Sequence, residues 1–272
     1  MQKYHKYCQT LFEAWFNSPY YHILYQNRDK AEAGFFIDNM CRHLNIERNS
    51  KILDVACGRG RHAIYLSQKG FDVTGIDISP QNIRYAYKFR KNNLSFYKHD
   101  MREPLIIKPN PKVSSDKSIG LNSFDYIMNL FTSFGYFEND EENQMTINSI
   151  FKSLKLDGYL IMDFMNSKKV LDNLLSKETR SIDGIEFDIS RFVSPDRFII
   201  KQIKIKDKGK SHSFIERVKA LTLNDFEKYF DACGLKIVNL FGDYTLAEFN
   251  EKKSERLIMV SKKVKNIVTQ ID

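Results

Sequence analysis

Long apolar runs are missing from this chain of 272 residues. Without about 18 consecutive apolar positions, no membrane-crossing helix is expected. The opening residues, MQKYHKYCQTLFEAWF, lack the basic region, apolar core and small-residue cleavage site of a secretory signal. Cysteine is scarce: Cys8, Cys41, Cys57 and Cys233 are scattered, with no paired metal-ligand spacing. They read as reduced thiols, and the chain is expected to be cytoplasmic. No H-x-x-H and no carboxylate cluster at ligand spacing occurs, so no metal is expected. What remains is ordinary globular composition, 42% hydrophobic and 28% charged. The net charge of +8 permits a nucleic-acid partner without requiring one. Much of the excess sits at 199–210 (IIKQIKIKDKGK) and 261–266 (SKKVKN), which read most simply as a solvated strand face and a tail.

Strand and helix signals alternate along most of the chain. A short amphipathic helix at 7–16 stops near Pro19. Asp29 can cap a longer helix to about Asn45, with Phe35, Phe36, Met40 and Leu44 at helical spacing. KILDVA is a short apolar run suited to a buried parallel strand. After a glycine loop, a helix through HAIYLSQK ends at Gly70, and FDVTGID is the next strand. Ser79-Pro80 starts another helix. LSFYKHD is a third strand, and 108–123 reads as a surface loop. FDYIMNLF (124–131), a helix at 140–155, a turn at Asp157-Gly158 and YLIMDF (159–164) complete a pattern that argues for a parallel sheet covered on both faces. Residues 180–221 differ: three segments of partial period-two alternation predict an inserted antiparallel meander. Thr222 with Asp225 then opens a helix through a capping box, Gly234 ends it, and a final antiparallel hairpin follows.

The stretch ILDVACGRGRHAIYLSQKGFDVTGIDIS (52–79) holds the candidate site. Gly58, Gly60 and Ala63 match G-x-G-x-x-A, and Asp77 follows about twenty residues on, so a dinucleotide loop is one reading. Asp54 opposes it. A carboxylate at the strand end repels a pyrophosphate and attracts a cation. The sulfonium and ammonium groups of S-adenosylmethionine (SAM) supply that cation. A purely structural Asp54, capping the loop's amides, is the alternative. Asp77 suits a ribose diol, which both ligands contain. Asp100 can accept from an adenine amine, and Met101 can cover the ring.

LDVACGRGRHA, VTGIDIS and FYKHDM together resemble the class I SAM-dependent methyltransferases over roughly 50–165 and 222–263. The acidic, glycine-rich signature maps onto Asp54, Ala56, Gly58 and Gly60, with alanine in place of the first glycine. The resemblance implies an α/β fold: a Rossmann-like, seven-stranded, mostly parallel sheet with an antiparallel last strand, an N-terminal helical lid (1–48) and an inserted antiparallel β cap (180–221). The core would span 49–179 and resume at 222–272. Cys57, His62 and Ile78 join the implied cofactor contacts, and Asn129 and Leu130 would lie near the methionine part of SAM. Phe131, Phe134, Tyr136 and Asn166 would wall the acceptor pocket.

The segment at 15–29 resembles the aromatic lid of small-molecule N- and O-methyltransferases, including those acting on glycine and amino sugars. Tyr21 and Tyr25 match its tyrosines, and Arg28 could pair with a carboxylate. The N-P-P-[FY] and D-P-P-[FY] motifs of base-amine methylation are absent, NLFT standing in their place, and no Pro-Cys pair occurs for cytosine chemistry. Methyl transfer needs alignment and a dry pocket, with an optional base. Tyr21, Tyr136 and Asp163 are the candidates, and His22 and His99 are weaker. The leading expectation is a small-molecule methyltransferase using SAM. An RNA or protein methyltransferase docking through its basic surface is the alternative, and an NAD-dependent oxidoreductase a third. The acceptor's identity and the oligomeric state are not legible.

Overall fold

The computed structural model describes residues 14–26, 30–107 and 119–264. Most of the helix expected at 7–16, Cys8, Arg28, the Asp29 cap, most of the loop at 108–123 and the end of the basic tail lie outside the described residues.

In chain order the elements are α1 (Pro19–Leu24), α2 (Lys30–His43), β1 (Lys51–Val55), α3 (Arg61–Gln68), β2 (Asp72–Asp77), α4 (Pro80–Ala86), β3 (Leu94–Lys98), β4 (Phe124–Asn129), α5 (Asp140–Ser153), β5 (Leu154–Met165) and α6 (Ser167–Asp172). A meander follows: β6 (Lys177–Ile182), β7 (Ile185–Val193), β8 (Phe198–Asp207) and β9 (Lys210–Lys219). Then come α7 (Leu223–Asp231), β10 (Leu235–Phe241) and β11 (Arg256–Lys263). Seven strands form one sheet in the order β10-β11-β5-β4-β1-β2-β3. The pairs from β5 through β3 are parallel, and β11 runs antiparallel to both β5 and β10. This is the expected architecture, antiparallel final strand included.

Local chemistry explains most boundaries. Ser79 caps α4, its Oγ accepting from the Asn82 amide at 3.1 Å, with Pro80 in the first turn. Thr222 and Asp225 form the capping box of α7. Gly70 follows α3 and Gly234 follows α7, both in the left-handed region. The turn expected at Asp157-Gly158 is instead a bulge inside β5: Asp157 has φ 63° and the register against β4 shifts there. Pro19 was expected only to stop a helix, yet it also starts one, because Ser18 Oγ accepts from the Tyr20 amide at 3.2 Å. The meander has a fourth strand, β6, which its polar sequence KETRSI concealed.

Alternation sorts the sheet's side chains between two cores. Ile52 packs with α2 and α3, whereas Leu53 and Val55 pack with α5 and α7. Asp54 therefore shares the α2–α3 face and ends beneath the start of α3. A third cluster joins α1 to the meander. Trp15 and Leu24 pack against Ile185, Phe187, Ile189, Ile203 and Ile205. The N-terminal helix thus docks on the inner face of the cap sheet.

Gly75, in the centre of β2, has no room for a methyl group. A Cβ there would lie 2.6 Å from the Phe96 ring and 2.9 Å from Cys57 Sγ. Gly75→Ala should cost about 1–3 kcal/mol through overpacking, read as a lowered urea midpoint at constant slope.

Candidate active site

The sheet order reverses at β1: β2 and β3 lie to one side, β4 and β5 to the other. Loops leaving the carboxyl ends of β1 and β4 diverge, and open α/β sheets bind ligands in the crevice so formed. A cavity of about 1020 Å³ lies there. Asp54, Ala56, Cys57, Gly58 and His62 line it from the first loop and α3, Asp77 and Ile78 from the end of β2, and Asp100 and Met101 from beyond β3. Leu130, Phe131 and Tyr136 line it from the loop after β4, and Tyr21 and Tyr25 from α1 and its end.

The loop after β1 presents carboxylates where a phosphate loop would present amides. Asp77 accepts from the Gly58 amide at 2.9 Å and from the Ser79 amide at 2.8 Å. Asp54 accepts from the Ala63 amide at 3.1 Å. Helix-start amides that could bind a pyrophosphate are thereby committed to negative side chains. Asp54 is 1% exposed, and burial pushes its pKa up to about 7 against the pull of the Ala63 amide and Arg61. Burial also raises the Asp77 pKa, opposed by its amide bonds and Asn82. Such carboxylates gain from a cationic ligand and lose from an anionic one. Asp54 thus both caps α3 and faces the cavity, uniting the two readings of this residue.

His62 and His22 are held neutral. Burial, followed by Arg61, depresses His62 to about 3, while burial and Arg59 depress His22 to about 4. Burial holds Cys57 as a thiol.

The residues fit SAM. Gly58, at φ 55°, has nothing within 4 Å of the place a Cβ would take, so it leaves an open cradle beside Asp77. Ala56 adopts φ 58°, the left-handed conformation that the usual glycine would take without strain. Asp100 lines the cavity but is clasped by Arg102, whose Nη2 lies 2.6 Å from Oδ2 and whose Nε contacts both oxygens. Any adenine amine would share it with that guanidinium.

Five expected site residues do not reach the cavity. Gly60 serves the turn instead: it has φ 83°, and a Cβ there would sit 2.8 Å from Phe96. Asn129 is fully buried and its Nδ2 donates to the Val55 carbonyl, bracing β1 against β4. Phe134 belongs to the core, packed edge-on against Phe137 and Tyr229 and tilted against Phe226. Asn166 donates to the Glu251 and Ser254 carbonyls at 2.7 and 2.8 Å, anchoring the loop before β11. Asp163 accepts from Arg256 Nε at 2.7 Å, the Phe131 amide at 2.8 Å and the Tyr244 hydroxyl at 3.0 Å. Its carboxylate therefore braces the site and is not poised as a base. It holds Phe131 and Thr132 at φ 69° and 57°, conformations costing about 1–3 kcal/mol each. The brace turns Phe131 toward the cavity, under the Arg61 guanidinium 4.9 Å away.

Sequence reasoning also missed residues that line the site. Arg256 and Tyr244 border it from the last hairpin, and Glu216 from β9. Glu216 carried a signal: alternation places it inward between Phe214 and Val218, an acid among apolar neighbours.

The family described as a methyltransferase domain matches residues 46–218. YqeM of Bacillus subtilis (strain 168), whose methyltransferase name is provisional, is 25% identical over 238 residues, 83% of this chain and 89% of that protein. The glycine/sarcosine/dimethylglycine N-methyltransferase of Actinopolyspora halophila is 26% identical over 244 residues, 89% of this chain and 40% of that protein. Among solved structures, an S-adenosylmethionine-dependent methyltransferase from Clostridium acetobutylicum ATCC 824 superposes with a TM-score of 0.71 at 22% identity, covering 89% of this chain and 95% of that one.

The Asp54 environment sets a pH dependence. Its folded pKa of about 7 exceeds the unfolded value of about 3.9. The ligand-free protein should therefore lose stability as pH rises from about 4 to about 7, where the folded state binds the extra proton. A cationic ligand favours the ionised form, so SAM affinity should strengthen between pH 6 and 8, by up to about tenfold per unit. Asp54→Asn should flatten that profile and weaken binding at least tenfold. Calorimetric titration across this range decides; a wild-type Kd that ignores pH would show that Asp54 does not read the ligand's charge.

Proposed function

The chain belongs to the methyltransferase domain family, and we propose that it uses SAM to methylate nitrogen or oxygen of a small molecule held in the roofed part of its cavity. The roof carries this reading. Phe16, Tyr21 and Tyr25 from the N-terminal segment meet Glu216 and Val218 from the cap sheet over the cavity, and the N-terminal segment is cemented to that sheet by a buried apolar cluster. A roof built this way excludes water and leaves room for one cofactor and a modest acceptor, not for a folded macromolecule. The N-methyltransferase relative from Actinopolyspora halophila points the same way.

Asp54, Ala56 and Gly58 would hold the methionine part, Asp77 the ribose, and Met101 with Asp100 the adenine. The bound cofactor supplies an activated methyl group on a sulfonium. The chain's own work is to orient the acceptor along the line of that bond, keep water out and receive a proton where the acceptor carries one.

The basic meander supports a macromolecular acceptor less well. Its cations are interleaved with acids: Lys206 lies 3.7 Å from Glu186, Arg191 lies 2.5 Å from Glu178, and Lys204 pairs in register with Asp188. The buried free thiols Cys41, Cys57 and Cys233 suit a reducing compartment, and cytoplasmic residence is part of the same reading. Among the described residues no helix is long and apolar enough to cross a membrane.

The purified protein should bind S-adenosylhomocysteine and ignore NAD in parallel titrations, and Asp77→Asn should weaken the former at least tenfold. Incubated with methyl-tritiated SAM and a cell extract divided into small molecules, RNA and protein, it should label the small-molecule fraction. Label confined to RNA or protein would reverse the proposal.

A further inference from the structure

Glu216 is built into the cavity roof in an asymmetric way. On β9 it stands in register with Lys201 on β8, and both point inward. Its Oε2 is crowded, accepting from Trp15 Nε1 at 3.1 Å and from the Tyr25 hydroxyl at 3.1 Å, with Lys201 Nζ 3.9 Å away. Lys201 in turn donates to the Tyr25 hydroxyl and lies 4.7 Å from the centre of that ring. These contacts lock the carboxylate in place and tie the N-terminal segment to the cap. Oε1 is different: among the described residues it accepts one long hydrogen bond, 3.4 Å, from the Tyr136 hydroxyl. Tyr136 and Glu216 both line the cavity, among the rings of Phe16, Tyr21 and Tyr25.

We propose, building on the small-molecule methyltransferase reading, that the Tyr136–Glu216 pair recognises an amine acceptor and takes its proton. An aliphatic amine arrives protonated at neutral pH, its pKa near that of lysine, about 10.4. Aromatic walls remove it from water and weaken its hold on the proton, while a carboxylate beside them attracts the cation. The ammonium N–H gives its proton to the Tyr136 oxygen as Tyr136 passes its own to Glu216 Oε1. The freed nitrogen lone pair forms the new N–C bond, the C–S bond breaks with its electrons staying on sulfur, and the positive charge moves from sulfur to nitrogen. An alcohol gains little from this arrangement, because a carboxylate is far too weak a base to ionise it. Burial and the neighbouring Glu216 charge raise the Tyr136 pKa, so its phenol stays protonated and able to relay. The long Tyr136–Glu216 contact suits a ligand-free site, where such bonds are loose and tighten in the complex.

The groups facing the pair are Tyr21, Tyr25 and Lys201, with Glu178, Arg180 and Arg191 acting on Lys201 from behind. The test uses the full chain and methyl-tritiated SAM with matched acceptors: sarcosine and glycolate, glucosamine and glucose, ethanolamine and ethylene glycol. Wild-type label should enter amines only. On the best amine, Glu216→Gln and Tyr136→Phe should each lower kcat at pH 7 by tenfold or more. The double variant should be no worse than the poorer single one, as expected of groups acting as a unit. The Glu216→Gln deficit should shrink as pH rises to 9, because solvent then removes the proton; a merely structural defect would not be rescued. Independent of turnover, both single variants should bind S-adenosylhomocysteine within twofold of wild type, and the Tyr136 ring-carbon resonance should titrate at lower pH in Glu216→Gln. Label confined to alcohols, no amine methylated by an enzyme that binds S-adenosylhomocysteine, or single variants with wild-type kcat would overturn the proposal. Failure of the wild type to bind S-adenosylhomocysteine would instead strike the methyltransferase reading beneath it.

Discussion

At the carboxyl ends of β1, β2 and β5 a buried aspartate accepts a hydrogen bond from a backbone amide of a loop that walls the cavity. Asp54 takes Ala63, Asp77 takes Gly58 and Ser79, and Asp163 takes Phe131. Each bond satisfies a donor that would otherwise be buried or wasted at a helix start. Together they fix three loops around one space, and two of the acids, Asp54 and Asp77, line its floor with carboxyl groups. A parallel sheet ends all its strands at one rim, so three such acids converge without any long-range device. The rim's chemistry, more than the fold, separates a site for a sulfonium compound from one for a dinucleotide.

Much of this was legible because the chemistry is local. Ser79-Pro80, Thr222 with Asp225, and the glycines after α3 and α7 each dictate a helix end within a few residues. Asp54 and Asp77 were legible because a strand's end and a glycine loop are both short-range signals. The misplacements share a different cause. Asn129, Phe134, Asp163 and Asn166 flank the loops of the site, and which side chain of a loop faces inward depends on its backbone. Phe131 and Thr132 are held left-handed by Asp163 and Arg256, partners 32 and 124 residues away along the chain. That twist sends Phe131 to the cavity and leaves Phe134 in the core. Nothing in NLFTSFG announces it, since non-glycine residues reach this conformation only when distant contacts force them.

Glu216 and Lys201 show the opposite case: visible, yet passed over. Period-two alternation puts both on the inward face of the meander, an ionic pair among isoleucines and aromatics. Removing such a pair from water is costly unless other donors complete it, and Trp15, Tyr25 and Tyr136 do so here. Reading the meander as a basic exterior obscured the fact that its charge is sorted by face.

The docking of the N-terminal segment on the cap sheet has a geometric consequence. Trp15 and Leu24 bury their surface against the meander, and the Trp15 indole is pinned to Glu216. Toward the rest of the molecule the segment makes polar and edge contacts, among them Asn17 with Ser79 and the edge of Phe16 on Tyr136. The cap sheet in turn reaches the main core through Ile199 and Val218, so segment, cap and sheet rim form one continuous packed body. A ligand entering or leaving would therefore pass a roof that is anchored on both sides, at the N-terminal segment and at the main core.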